Sequence, residues 1–238
     1  MVTRGMSHHS ITNKTPNTYD YSLESLFEKT LTISDNKIHM HTQKEYLKHI
    51  IATNEYVSNC VSNKKKDINS LSYLIDRNLS QSDCIKLGTG IEKILKDIIL
   101  DQNIRIRDIK PKNNKGKKER DHLFEDNNNK IIYYAELKSN LFLDTEKCKS
   151  TSNKCIEIQK ELETLYPGYI IKMYLVGLRY YKKDEMPKTV ADKYNIIKDN
   201  VVGINEYLTQ LTDSFSFVNE SEYKDFLNEL ANAMFENA

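Results

Sequence analysis

RDHLFEDNNNKIIYYAELKSN, residues 120–140, is the stretch whose reading decides the fold. Its ends look like strands and its middle like a turn. RDHLFED is a short strand, DNNNK at 126–130 gathers turn-forming residues, and IIYYAELKSN is dense in β-branched and aromatic side chains. Residues 121–138 therefore read as a β-hairpin that ends in a charged cluster. Alternate side chains of a strand share a side, so Glu136 and Lys138 point together and Leu137 points the other way, into the core. Fifteen residues separate Asp121 from Glu136. That spacing suits two strands whose distant ends lie side by side, and it is expected to bring Asp121, Glu136 and Lys138 together at one edge of a sheet.

Before the hairpin, NIRIRDI at 103–109 alternates Ile104 and Ile106 with Arg105 and Arg107, as a half-buried strand does. CIKLGTGIEKILKDIILD at 84–101 carries Ile91, Ile94, Leu95, Ile98 and Ile99 as a helical stripe, capped by Ser82 or Asp83. Gly88 and Gly90 leave room for close packing. Helices are expected at 22–31, 43–62 and 68–79, with KKKD at 64–67 as a solvated turn. After the hairpin, 144–152 reads as a polar connection. NKCIEIQKELETLY at 153–166 is a helix stopped by Pro167-Gly168. YIIKMYLVGLRYY at 169–181 is an apolar strand central in the sheet. VVGINEYL at 201–208 is a strand leading into a helix. A final helix at 219–237 has Tyr223, Phe226, Leu227, Leu230, Ala231 and Met234 on one face. The order predicts a mixed α/β (α+β) fold with a flexible N-terminus at 1–20, a helical region at 21–80 and a core domain at 81–238.

Hydrophobic residues make up 39% and charged residues 29% of the 238, with a net charge of +1. A folded protein is expected, and one that coats nucleic acid by charge alone is excluded. Cys60, Cys84, Cys148 and Cys155 form no CxxC pair, which argues against structural zinc. MVTRGMSHHS at the start has no apolar h-region of a signal peptide, and residues before Met6 read as a cloning or start-site remnant. His8 and His9 belong to a loose tail. No run approaches a transmembrane span, so a cytoplasmic protein with reduced thiols is expected.

Two carboxylates a few ångströms apart repel unless a cation lies between them. Such oxygen ligands suit Mg²⁺, which keeps several waters and takes one or two carboxylates. Lys138 beside them can hold a nucleophilic water and stabilise charge on a phosphate. The set suits phosphodiester hydrolysis. The competing reading is a solvated Glu-x-Lys pair on an exposed strand. The apolar run before Glu136, the basic loop before Asp121 and the helix carrying Glu92 favour the chemical one.

This arrangement resembles the PD-(D/E)xK nuclease superfamily and, within it, type II restriction endonucleases. In that family a helix with a Glu precedes a strand, a hairpin follows, and the last strand ends in (D/E)xK. The matching residues are Glu92 in Gly90-Ile91-Glu92, Asp121, and Glu136-Leu137-Lys138, within a resemblance covering roughly 85–180. Arg120 stands where the pattern has proline. The resemblance implies a restriction-endonuclease-like core, a mixed central β-sheet flanked by helices. It implies Asp121 and Glu136 as ligands of Mg²⁺ (Mn²⁺ substituting), with the Leu137 carbonyl as a third ligand. Lys138 would be the catalytic lysine and Glu92 an auxiliary acid, while Asp108 reads as a turn residue or a further acid.

For double-stranded DNA, the candidate contacts are Lys117, Lys118 and Arg120 in the basic loop at 110–120. Others are Ser139, Asn140, Ser150, Thr151, Asn153 and Lys154 after the catalytic strand, together with backbone N–H groups at the start of the 153–166 helix. One site per chain and two DNA strands point to a homodimer on a short palindromic sequence. A cognate DNA methyltransferase is expected in the same genome, with no stable complex. A repair or recombination nuclease of the same fold and a non-catalytic DNA-binding protein are the competing functions.

Overall fold

The structure, a computed structural model, describes residues 42–60, 75, 79–109 and 119–235. The helix expected at 22–31, most of that at 68–79 and the basic loop with Lys117 and Lys118 lie outside those residues. The chain divides into two compact units, 1–45 and 46–238. Of the first, residues 42–45 are described, and all are helical. The second holds everything that follows.

Its centre is a five-stranded sheet in the order β1-β2-β3-β4-β5. The strands are β1 Ile106–Asp108, β2 His122–Asp126, β3 Ile131–Lys138, β4 Ile170–Gly177 and β5 Val201–Val202. The first three pair antiparallel, while β3–β4 and β4–β5 are parallel. The antiparallel pairs need only turns, and the Asp126 carboxylate accepts the Asn129 N–H at 3.0 Å to close the β2–β3 turn. The parallel β3–β4 pair needs a crossover, which is helical.

Seven helices accompany the sheet among the described residues. They are α1 at 46–53, α2 Glu55–Ser58, α3 Gln81–Gln102, α4 Thr145–Leu165, α5 Lys188–Lys193, α6 Ile204–Leu211 and α7 Glu220–Phe235. Strand alternation sorts the core into two layers. Phe124, Tyr133, Ala135 and Leu137 pack with α3, α6 and α7 on one face. Leu123, Ile132, Tyr134, Met173 and Leu175 pack with α4 and with Val190 and Tyr194 on the other. The mixed sheet flanked by helices matches the sequence expectation. No helix among the described residues is long and apolar enough to cross a membrane.

Four local expectations are corrected. The helix expected over 43–62 breaks at Asn54, whose side chain caps α2 by accepting the Val57 N–H at 3.2 Å. The α3 cap is Ser80, accepting the Asp83 N–H at 3.0 Å, rather than Ser82 or Asp83. Ile104 lies outside β1 and is 91% exposed. Asn103 Oδ1 accepts the Arg105 N–H at 3.1 Å, and this local bond competes with strand pairing. The largest change is α4, which begins at Thr145 rather than 153. Asp144 caps it through the Lys147 N–H at 2.8 Å, and Cys148 and Ser152 continue the buried stripe of Cys155, Ile158 and Leu162. A stretch whose one apolar residue is Cys148 is here the first two turns of a helix, with Cys148 and Ser152 in the core. Of the two glycines expected to allow close packing, Gly90 does so, since a Cβ there would lie 2.7 Å from Met234 Sδ on α7, whereas a Cβ at Gly88 would meet nothing within 4 Å.

Candidate active site

The register His122↔Ala135, carried one residue outward, sets Asp121 across from Glu136 at the end of the hairpin. Asp121 Oδ2 accepts the Leu137 N–H at 2.7 Å, which fixes the carboxylate against the neighbouring strand. Residues 121, 123, 134, 136 and 138 share strand parity. Leu123 and Tyr134 lie in the α4-side core, so the three charged residues belong to that face.

Glu136 is 1% exposed and has three partners. The Lys138 ammonium lies 2.6 Å from Oε1. The Lys154 ammonium, from α4, donates to both oxygens at 2.8 and 2.7 Å. Tyr134 OH donates to Oε2 at 3.1 Å. Asp121, Glu136 and Lys138 are thus brought together, joined by a lysine that the sequence reading assigned to DNA.

Burial pushes the Asp121 carboxyl above its usual range, and the Glu136 charge adds to this against the Leu137 N–H and the two lysines. Burial works in the same direction on Glu136, but hydrogen bonds and charges from Lys138 and Lys154 outweigh it and hold that carboxyl low. Burial opposes the charge on Lys138, yet its bond to Glu136 raises its pKa. Glu92 on α3 is pushed up to about 7, first by burial and then by the like charge of Asp121. Two carboxyls raised beside one held ionised is the kind of separation that assigns acid and base roles.

The remaining expected residues distribute unevenly. Asp108 is drawn to Lys96 at 2.7 Å and takes no part in the cluster. The Leu137 side chain is buried on the α3 face. The Arg120 guanidinium pairs with Glu161 of α4 at 2.6 Å, with 11% of its side chain exposed. Asn140 Oδ1 accepts the Phe142 N–H at 2.8 Å, and Ser139 beside it is half-buried. Ser150 and Thr151, expected in the polar connection, lie within α4 together with Asn153 and Lys154. The helix start imagined at 153 does not exist, so its backbone N–H groups are spent inside the helix.

Sequence reasoning missed His122, which is fully buried on the opposite face from Asp121. Its Nε2 lies 2.8 Å from the Glu92 carbonyl, and its Nδ1 lies 2.7 Å from Tyr207 OH. A carbonyl only accepts, so Nε2 carries the proton and Nδ1 accepts from the tyrosine. Burial lowers the imidazole pKa to about 4, so the ring is neutral at pH 7. The contact ties α3 to β2 beside Asp121. Its position opposite Asp121 and next to Phe124 was a readable sign of burial.

A 760 Å³ open groove lies between α2 and α3, lined in part by Tyr56, Lys86, Lys93 and Lys96. Asp121, Glu136 and Lys138 do not line it, and Lys96 there already answers Asp108. Among the described residues no group of three or more His, Cys, Asp and Glu side chains is arranged to hold a metal. Compared with protein-family models, curated proteins and solved structures, the chain matches none.

Proposed function

We propose that this chain is a Mg²⁺-dependent nuclease of the PD-(D/E)xK type, acting on double-stranded DNA as a type II restriction endonuclease does. The observation that carries the reading is the half-buried Asp121 and the buried Glu136, set across a hairpin end with Lys138 on the same side. The chain order also supports it: helix with Glu92, strand, then a hairpin whose second strand, β3, closes on Glu136-Leu137-Lys138.

The donor set fits a small hard cation. Mg²⁺ needs only one or two carboxylates beside water, so a third acidic side chain is not required. Asp121 and Glu136 would hold it. The two carboxyls face each other across the hairpin end, and burial and then the Glu136 charge push the Asp121 carboxyl up. When bound, the ion supplies Lewis acidity toward a phosphate oxygen and makes water more acidic. The chain's own residues do the rest. The Lys138 ammonium offsets negative charge gathering on the phosphate, and Asp121, anchored by the Leu137 N–H, stays oriented. Glu92, with its pKa near neutrality, can take or give a proton near Asp121.

The test is plasmid cleavage. Discrete fragments with Mg²⁺ or Mn²⁺, none in EDTA, and binding without efficient cutting in Ca²⁺ are expected. Full cleavage in excess EDTA would sink the mechanism. A smear would favour a non-specific or repair nuclease of this type, and intact DNA with a gel shift would favour a binding protein. A homodimer on DNA follows from one site per chain. Light scattering of Lys138→Ala protein with a short cognate duplex should give two chains per duplex, and one chain per duplex would refute it.

A further inference from the structure

We infer that Lys154 competes with a divalent cation for the Glu136 carboxylate, and that it must release Glu136 for the metal to bind. This rests on the metal-dependent reading of the same site.

The argument begins with charge. Two ammonium groups, Lys138 and Lys154, already sit on the Glu136 carboxylate, and Asp121 across the hairpin end feels both of them. A divalent cation on Glu136 would lie against both ammonium groups, a like-charge repulsion that is relieved when one of them withdraws. Geometry says which one. Lys138 meets Oε1 at 2.6 Å. Lys154 spans the fork, donating to both Oε1 and Oε2 at 2.8 and 2.7 Å, which is where a cation chelated by the carboxylate would sit. Lys154 also comes from a different element. It rides on α4 with 24% of its side chain exposed, so its flexible stem can carry the ammonium to solvent without disturbing β3. Lys138 is on the strand that carries Glu136 itself. Tyr134 keeps its own bond to Oε2 and can hold the carboxylate when Lys154 leaves. Lys154 is therefore a positioning residue: it stabilises an ionised, oriented Glu136 until the metal arrives, at a cost in metal affinity.

Terbium binding tests this apart from activity. The chain has 15 Tyr and no Trp, so tyrosine-sensitised Tb³⁺ luminescence, competed with Ca²⁺, reports on binding directly. Lys154→Met should bind Tb³⁺ about tenfold more tightly than wild type, the effect of one neighbouring like charge worth about one pKa unit. Lys154→Arg should stay near wild type, and Glu136→Gln should lose the site. A second measurement needs no variant: acylation of Lys154 in the wild-type chain, read by mass spectrometry, should rise several-fold when Ca²⁺ is added. Equal or weaker Tb³⁺ binding by Lys154→Met, or acylation that ignores Ca²⁺, overturns the inference while the metal reading stands. Failure of the wild-type chain to bind Tb³⁺ at all overturns the metal reading itself.

Discussion

Asp121 and His122 are neighbours in the chain, yet they serve opposite layers of the fold. On the α3 face, His122 is buried as a neutral ring, with one nitrogen donating to the Glu92 carbonyl and the other accepting from Tyr207. On the α4 face, Asp121, Glu136, Lys138 and Lys154 are kept near one another with their charges. Both clusters are polar and both lie at the same end of the sheet. One removes its charge and satisfies its hydrogen bonds, which is how a polar group is placed in a core at little cost. The other keeps four ionisable groups where burial penalises charge. Buried ion clusters contribute weakly to stability for what they cost, so the two clusters should respond differently to substitution.

The comparison is broken most easily by activity. Lys138→Ala should lower cleavage by roughly 10²–10³-fold while leaving DNA binding largely intact, as loss of one group stabilising developing charge does. Gel shift and fragment yield, measured together, check it, and wild-type cleavage would remove Lys138 from the site. His122→Leu should act chiefly on stability. It leaves the Glu92 carbonyl and Tyr207 OH without their partner and is expected to cost roughly 2–4 kcal/mol in urea denaturation at pH 7.5.

The same residue gives a pH signature. The His122 pKa is lowered in the fold from 6.5 to about 4, so the unfolded chain binds more protons between those values. Its stabilisation is complete above pH 6.5 and is lost as the pH falls toward 4, up to about 3 kcal/mol in all. The stability gap between wild type and His122→Leu should therefore be widest above pH 6.5 and close toward pH 4. A gap constant with pH would show that the ring is not buried neutral. The smallest effect is on the other face. Asp121→Asn keeps an acceptor for the Leu137 N–H and removes a charge that burial and Glu136 both oppose. It should abolish cleavage yet raise stability by roughly 0.5–1 kcal/mol. Destabilisation by this change would mean that the cluster serves the fold.

Much of this was legible in residues 120–140. The turn, the alternation of β3 and the side-by-side ends of the hairpin follow from local preference and from the two-residue period of a strand. They bring Asp121, Glu136 and Lys138 together without reference to any distant residue. The α7 stripe and the strand-to-helix step at 201–208 were readable for the same reason: each is a periodic pattern in a short window. The 144–152 stretch was not. Cys148 is its one apolar residue, too isolated among charged and polar neighbours to show a period, and only packing in the core beside Cys155, Ile158 and Leu162 shows it as part of a helix face.

Sequence by itself determined the hairpin, the parity of its charges and the mixed class of the sheet, because these depend on near neighbours along the chain. Tertiary structure alone decided what meets those charges. Lys154 lies 18 residues beyond Glu136 and Tyr207 lies 85 beyond His122. No local period links such positions. Their meeting depends on where α4 begins and on which face of the sheet each helix covers, and those are settled by the burial of whole apolar faces at once.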